Sequence, residues 1–168
     1  VGSEEFLSPL HPALSLLQAA WEPADAIVYM PRLAHRPLEG HPVRPIYEPV
    51  GENDEYFSVE NYDAVALAYG HKEAGSVVWP SMQGALKLAG YDGLLAYPVS
   101  QDLKSDGGAA YTGAVIQYKG DGLVDPHYIF QQLDAVKYQY GCFLKTFLTK
   151  QVATIPAPAA LGSPCPGM

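Results

Sequence analysis

Asp125-Pro126-His127-Tyr128-Ile129-Phe130 is the stretch on which the reading of the fold turns. In front of it, Tyr111, Gly113, Val115 and Gln117 alternate with Thr112, Ala114, Ile116 and Tyr118, so that Ala110 to Lys119 is apolar at nearly every position. A run that is apolar on both alternating sets predicts a strand buried on both faces, as in a parallel sheet covered by helices. Lys119-Gly120-Asp121-Gly122 breaks the run, and Asp125 reads as a helix N-cap with Pro126 at the first helical position. Behind it Ile129, Leu133, Val136, Tyr140, Phe143 and Phe147 recur at alternating steps of four and three, which predicts one face of a helix of about five turns. His127 is thereby held on a short loop between two rigid elements, where a titratable group can be presented rather than buried.

A second junction of this kind lies upstream. Val43-Arg44-Pro45-Ile46-Tyr47-Glu48-Pro49-Val50 is rich in β-formers and reads as a strand, although each proline removes a ladder donor. Gly51-Glu52-Asn53-Asp54 follows as a turn, and Ser58 to Tyr69 reads as a helix capped by Ser58, with Val59, Tyr62, Val65, Ala66 and Tyr69 on one side. Strand, helix and strand in that order form a right-handed parallel crossover, which sends Asp54 and His127 to the same carboxyl edge of one sheet. Elsewhere, Ser8-Pro9 and His11-Pro12 open a helix with Leu14, Leu17 and Trp21 on its apolar side, ended by Glu22-Pro23, and Asp25 caps a short apolar segment to Met30. Residues 71–108 read as a variable insertion containing a helix from Met82 to Ala89, residues 151–168 as a Pro/Ala-rich tail, and residues 1–168 as a single unit.

Composition narrows the classes. A chain of 168 residues that is 48% apolar can bury a core. A net charge of -8 argues against nucleic acid, since no basic stripe is present to neutralise phosphates. No apolar run reaches the roughly 18 residues of a membrane span. Val1-Gly2-Ser3-Glu4-Glu5 lacks the pattern of a signal peptide, so the expectation is a leader already removed or a chain that begins at an internal cut. Cys142 falls on the long helix and Cys165 in the tail; a disulfide between them would staple the tail and point to a secreted or periplasmic protein, the alternative being two separate thiols.

The acid after one strand and the histidine after the last strand, ahead of a C-terminal helix, resemble the second half of an α/β-hydrolase, the fold of bacterial secreted serine esterases and lipases. Gly51-Glu52-Asn53-Asp54-Glu55-Tyr56-Phe57-Ser58 is similar to the acid loop of that family, and Asp125-Pro126-His127-Tyr128-Ile129-Phe130 to its histidine loop. The resemblance implies an α/β fold with helices flanking the C-terminal part of a hydrolase sheet, and it covers residues 9 to 148. It also implies catalytic roles for His127 as general base and Asp54 as its orienting acid, acting on carboxylic esters. Tyr56, Trp79 and Tyr128 are the expected substrate-binding residues; the stretch holding Trp79 reads first as plain core, with a wall of a substrate pocket as its functional alternative.

The family's Gly-x-Ser-x-Gly nucleophile elbow is absent from the sequence; Gly75-Ser76 and Gly162-Ser163 each lack the second glycine. The expectation is therefore a C-terminal portion completed by an N-terminal chain of the same hydrolase, which carries the serine and the oxyanion hole. The alternative is a non-catalytic, secreted ligand- or carbohydrate-binding module. No cofactor or metal is expected: Glu52, Asp54 and Glu55 miss the calcium-loop spacing, and His11, His35, His41 and His71 lack metal-ligand spacing and read as surface or turn residues.

Overall fold

A computed structural model describes residues 11–167. Ser8-Pro9, expected at the start of the first helix, lies outside the described residues. The chain runs through α1 (Pro12–Trp21), α2 (Ala26–Tyr29), β1 (Ile46–Gly51), α3 (Val59–Tyr69), β2 (Lys72–Ala74), α4 (Ser81–Lys87), β3 (Leu94–Leu95), β4 (Leu103–Lys104), β5 (Ala110–Tyr111), β6 (Gly113–Tyr118), α5 (Ile129–Gln132) and α6 (Asp134–Lys150). Strands β1, β6, β2 and β3 lie side by side in that order, every pair parallel, while β4 and β5 form a small antiparallel ribbon. This is a mixed α/β architecture around a parallel sheet.

Alternation along β6 explains why the sheet is central. Val115 joins Val50, Ala66, Trp79, Met82 and Leu86 in one core cluster, which packs α3 and α4 on one side. Ala114 and Ile116 join Ala74, Val99 and Ile155 in another, with Phe143 of α6 packed against it. Both faces of the strand are thus covered, as the doubly apolar sequence requires. The polar Gln117 is buried as well, and its amide accepts from the backbone N–H groups of Val78 (2.6 Å) and Trp79 (2.9 Å) and donates to the Trp79 carbonyl (3.1 Å). That side chain replaces the ladder bonds which the loop before α4 lacks.

Four expectations need correction. Residues 71–108 do not stand apart from the sheet, because they supply β2 and β3 to it. These strands are two or three residues long, too short for any periodic pattern. Secondly, the strand expected over Ala110 to Lys119 is divided at Thr112, whose hydroxyl donates to Ala153 O (2.7 Å) and accepts from Gln101 N (2.9 Å). Thirdly, the long helix is broken at Leu133, which takes an extended backbone (φ -95, ψ 118) between α5 and α6. The Gln132 side chain turns back to the histidine loop there, accepting from Val124 N and donating to Asp125 O. Beyond the break α6 buries Val136, Gln139, Cys142 and Thr146, whereas Tyr140 is exposed. Apolar spacing alone cannot detect such a break or the rotation it introduces.

The last correction concerns the tail, which begins as core. Ile155 is fully buried and exchanges two 2.9 Å backbone bonds with Val99. The Gln139 amide donates to Pro156 O (2.8 Å), and the Tyr138 hydroxyl to Pro164 O (2.9 Å). A disulfide joins Cys142 and Cys165. Among the described residues, no helix is long and apolar enough to cross a membrane. Since the bridge closes a loop spanning 23 positions, Cys165→Ala is expected to lower stability by up to about 3 kcal/mol. Denaturant unfolding checks the loss, and limited proteolysis should cut between Ala159 and Pro164 while Ile155 stays protected.

Candidate active site

The two loops meet because β1 and β6 are adjacent and parallel, with Gly51 opposite Tyr118, so both chains leave the sheet at one edge. The approach is close enough to demand glycine at two positions. A Cβ on Gly51 would lie 2.4 Å from Pro126 O, and one on Gly120 would lie 2.1 Å from Glu52 O. Each glycine thus lets one loop pass over the backbone of the other. Asp125 caps the 3-10 turn Pro126–His127–Tyr128, its carboxylate accepting from His127 N at 2.9 Å. This cap sets the direction in which the imidazole leaves the chain.

Asp54 receives that imidazole. Its Oδ1 accepts from the backbone N–H groups of Tyr56 (2.7 Å) and Phe57 (3.1 Å), and its Oδ2 lies 2.8 Å from His127 Nδ1 and also accepts from the Tyr62 hydroxyl. The Asp54 side chain is wholly buried, whereas that of His127 is 27% exposed. Burial pushes the Asp54 carboxyl up, but the Tyr62 hydroxyl, the Tyr56 amide, His127 and the Phe57 amide together hold it below its ordinary range. Burial and the Asp54 carboxylate push the Tyr62 phenol up, so it remains a donor. With Asp54 ionised, Nδ1–H is the donor of the shared bond, and the Nε2 lone pair is left available. No described residue hydrogen-bonds to Nε2.

Aromatic rings frame the histidine. Tyr56 lies 4.8 Å from the imidazole between ring centroids, Phe57 5.5 Å and Tyr128 5.0 Å. Tyr56 and Tyr128 are exposed and form a rim. Trp79, for which the sequence offered both a core place and a substrate contact, lies in the core: it is 6% exposed, its indole N–H donates to Asp63 (3.0 Å), and its ring packs near Tyr62. Its place is behind the site. Sequence reading missed Tyr62 and Phe57 as site residues. Tyr62 looked like one more apolar position on α3, and only the folding of Asp54 back over the start of that helix turns its hydroxyl into a ligand of the acid.

The other acids and histidines separate by environment. Glu52 and Glu55 do not converge with Asp54, and among the described residues no group of three His, Cys, Asp or Glu could hold a metal ion. His71, read as a surface or turn residue, is fully buried, stacks on Tyr69 and lies 3.2 Å from Glu48. It comes directly after the left-handed Gly70 that ends α3, and that tight helix-to-strand turn leads straight into β2. Comparison with protein-family models, characterised proteins and solved structures finds no match to this chain.

Tyr62→Phe should cost about 1.5–3 kcal/mol near neutral pH, the range for a hydrogen bond to a charged group. Asp54 is held low in the folded state, so its stabilisation is present above the unfolded carboxylate pKa and disappears as pH falls through the folded one. The gap between wild type and Tyr62→Phe should therefore close in acid. Denaturation at pH 7 and in the acid range, with carboxyl NMR titration of Asp54 moving upward in the variant, checks both statements.

Proposed function

We propose that this chain is the acid- and histidine-bearing portion of a serine hydrolase that cleaves carboxylic esters, with the nucleophilic serine and the oxyanion donors on an N-terminal partner chain. The observation that carries the reading is the 2.8 Å bond from buried Asp54 to His127 Nδ1, on neighbouring loops at the carboxyl edge of a parallel sheet. Such a pair performs general base catalysis. His127 Nε2 takes the hydroxyl proton as the serine attacks the ester carbonyl and returns it to the leaving alcohol, while Asp54 holds the tautomer and stabilises the imidazolium. Among the described residues, no serine, threonine or cysteine side chain hydrogen-bonds to His127, which supports a nucleophile supplied by the partner chain.

Several surfaces support a partner chain. β1 is an edge strand. Ile46 and Glu52 donate to β6 at its two ends, so in regular register Tyr47, Pro49 and Gly51 turn their backbone groups to the open side. Pro49 has no N–H to leave unpaired there, and Gly51 is buried, but the N–H of Tyr47 and the carbonyls of Tyr47 and Pro49 can receive another strand. Exposed apolar residues add to this: α1 buries none of its side chains, and Tyr140, Leu144 and Leu148 form an exposed stripe along α6. The disulfide is consistent with a secreted or periplasmic setting, where such bonds persist.

In the assembled protein, His127→Ala should lower kcat for a p-nitrophenyl ester by a factor on the order of 10⁴ or more, and Asp54→Asn by about 10⁴, with assembly unchanged. A fluorophosphonate should label the partner chain and leave this one unlabelled. Retained hydrolysis in His127→Ala, or label on this chain, would refute the reading.

A further inference from the structure

Beside the Asp54–His127 pair lies a cleft of about 450 Å³ that neither residue lines. Ala26, Ile27 and Met30 form one wall, and Phe57, Tyr62 and Val65 the other. Two members of the second wall also contact the Asp54–His127 pair. The Phe57 ring is 5.5 Å from the imidazole and 6.0 Å from the Tyr62 ring, and the Tyr62 hydroxyl donates to Asp54. A group held in the cleft is thus one aromatic ring away from the histidine. Its size falls within the range of small-molecule sites, about 300–1,000 Å³.

The lining also specifies charge. Its polar members are Asp25, Glu48 and Asn61: two carboxylic acids and an amide, with no Lys, Arg or His among the lining residues. Asp25 already accepts from Ile27 N (3.0 Å) as the cap of α2, and Glu48 is held 3.2 Å from buried His71. An anionic ligand would be placed against carboxylates between apolar walls, without a cation to pair it. An uncharged ligand with an apolar body can fill the cleft, and a hydroxyl on its tip would find acceptors at Asp25, Glu48 or Asn61.

We propose that this cleft binds an uncharged aromatic or branched apolar group bearing a hydroxyl, and that it discriminates against anions. The assignment of that group as the acyl or alcohol part of an ester substrate rests on the hydrolase reading; the binding site itself does not. It deepens that reading by naming the chemistry of the part of the substrate nearest His127.

The test is methyl-resolved NMR of the 168-residue chain titrated in parallel with 4-propylphenol and with 4-propylbenzoate. Expected are shifts of the Ile27, Met30 and Val65 methyls by the phenol, with binding of the benzoate at least tenfold weaker. Ala26→Trp, which adds a ring at an exposed position on the short outer wall, should weaken phenol binding tenfold or more without entering the core. Glu48→Gln should narrow the discrimination between the two probes. Shifts confined to other methyls, equal binding of the benzoate, or indifference to Ala26→Trp would overturn the proposal. Phenol binding at these methyls in an assembled protein that hydrolyses no ester would end the hydrolase reading and uphold the cleft. Hydrolysis with the probes bound elsewhere would do the reverse.

Discussion

Backbone bonds from Ile46 N to Thr112 O and from Glu52 N to Tyr118 O clamp β1 to β6 at both ends of a six-residue parallel register. Everything that distinguishes this molecule depends on that clamp. Parallel strands discharge their chains at one edge, so the turn after β1 and the loop after β6 must share a small volume. They share it because Gly51 and Gly120 present no side chain where each loop crosses the other's backbone. A single added methyl at either position would have to move main chain, the least compliant neighbour available. The distance between Asp54 and His127 is therefore a property of the sheet and two glycines as much as of the residues themselves.

Burying a carboxylate at that junction would be costly in isolation, since desolvation disfavours the charged form. Here the acid closes its own loop. The amides of Tyr56 and Phe57 use Oδ1, the Tyr62 hydroxyl and the imidazole use Oδ2, and little hydrogen-bonding capacity of the carboxylate remains unused. The same contacts place Phe57 and Tyr62 on the wall of the apolar cleft, with Phe57 also against the histidine. One residue thereby orients the imidazole of His127, anchors the start of α3 and shapes the neighbouring wall.

The opposite face of the sheet is organised by different means. Buried polar groups there are satisfied by the chain itself: Gln139 reaches Pro156, Thr146 accepts from Thr154 N, and Ile155 pairs with Val99. The disulfide ties the far end of the tail back to α6. α6 is thus held from both its amino-terminal break and its carboxyl-terminal tail, which keeps the histidine loop anchored at its far end.

Much of this was legible in the residues themselves. The doubly apolar run before Gly120, the Asp125-Pro126 cap and Ser58 at the head of α3 predicted a parallel crossover and put Asp54 and His127 at one edge, because these features act through local backbone preference and burial. The short strands β2 and β3, the break at Leu133 and the core role of Ile155 were not legible. They depend on pairing with segments distant in the chain, and two or three residues carry no period. The sequence by itself determined β1, α3 and the long strand before Gly120, and the titratable groups that stand at their ends. Tertiary structure alone decided that Tyr62 serves the acid, that His71 lies inside, and that Phe57 stands beside both the histidine and a cleft. Those relations arise from packing between elements, and no local pattern encodes them.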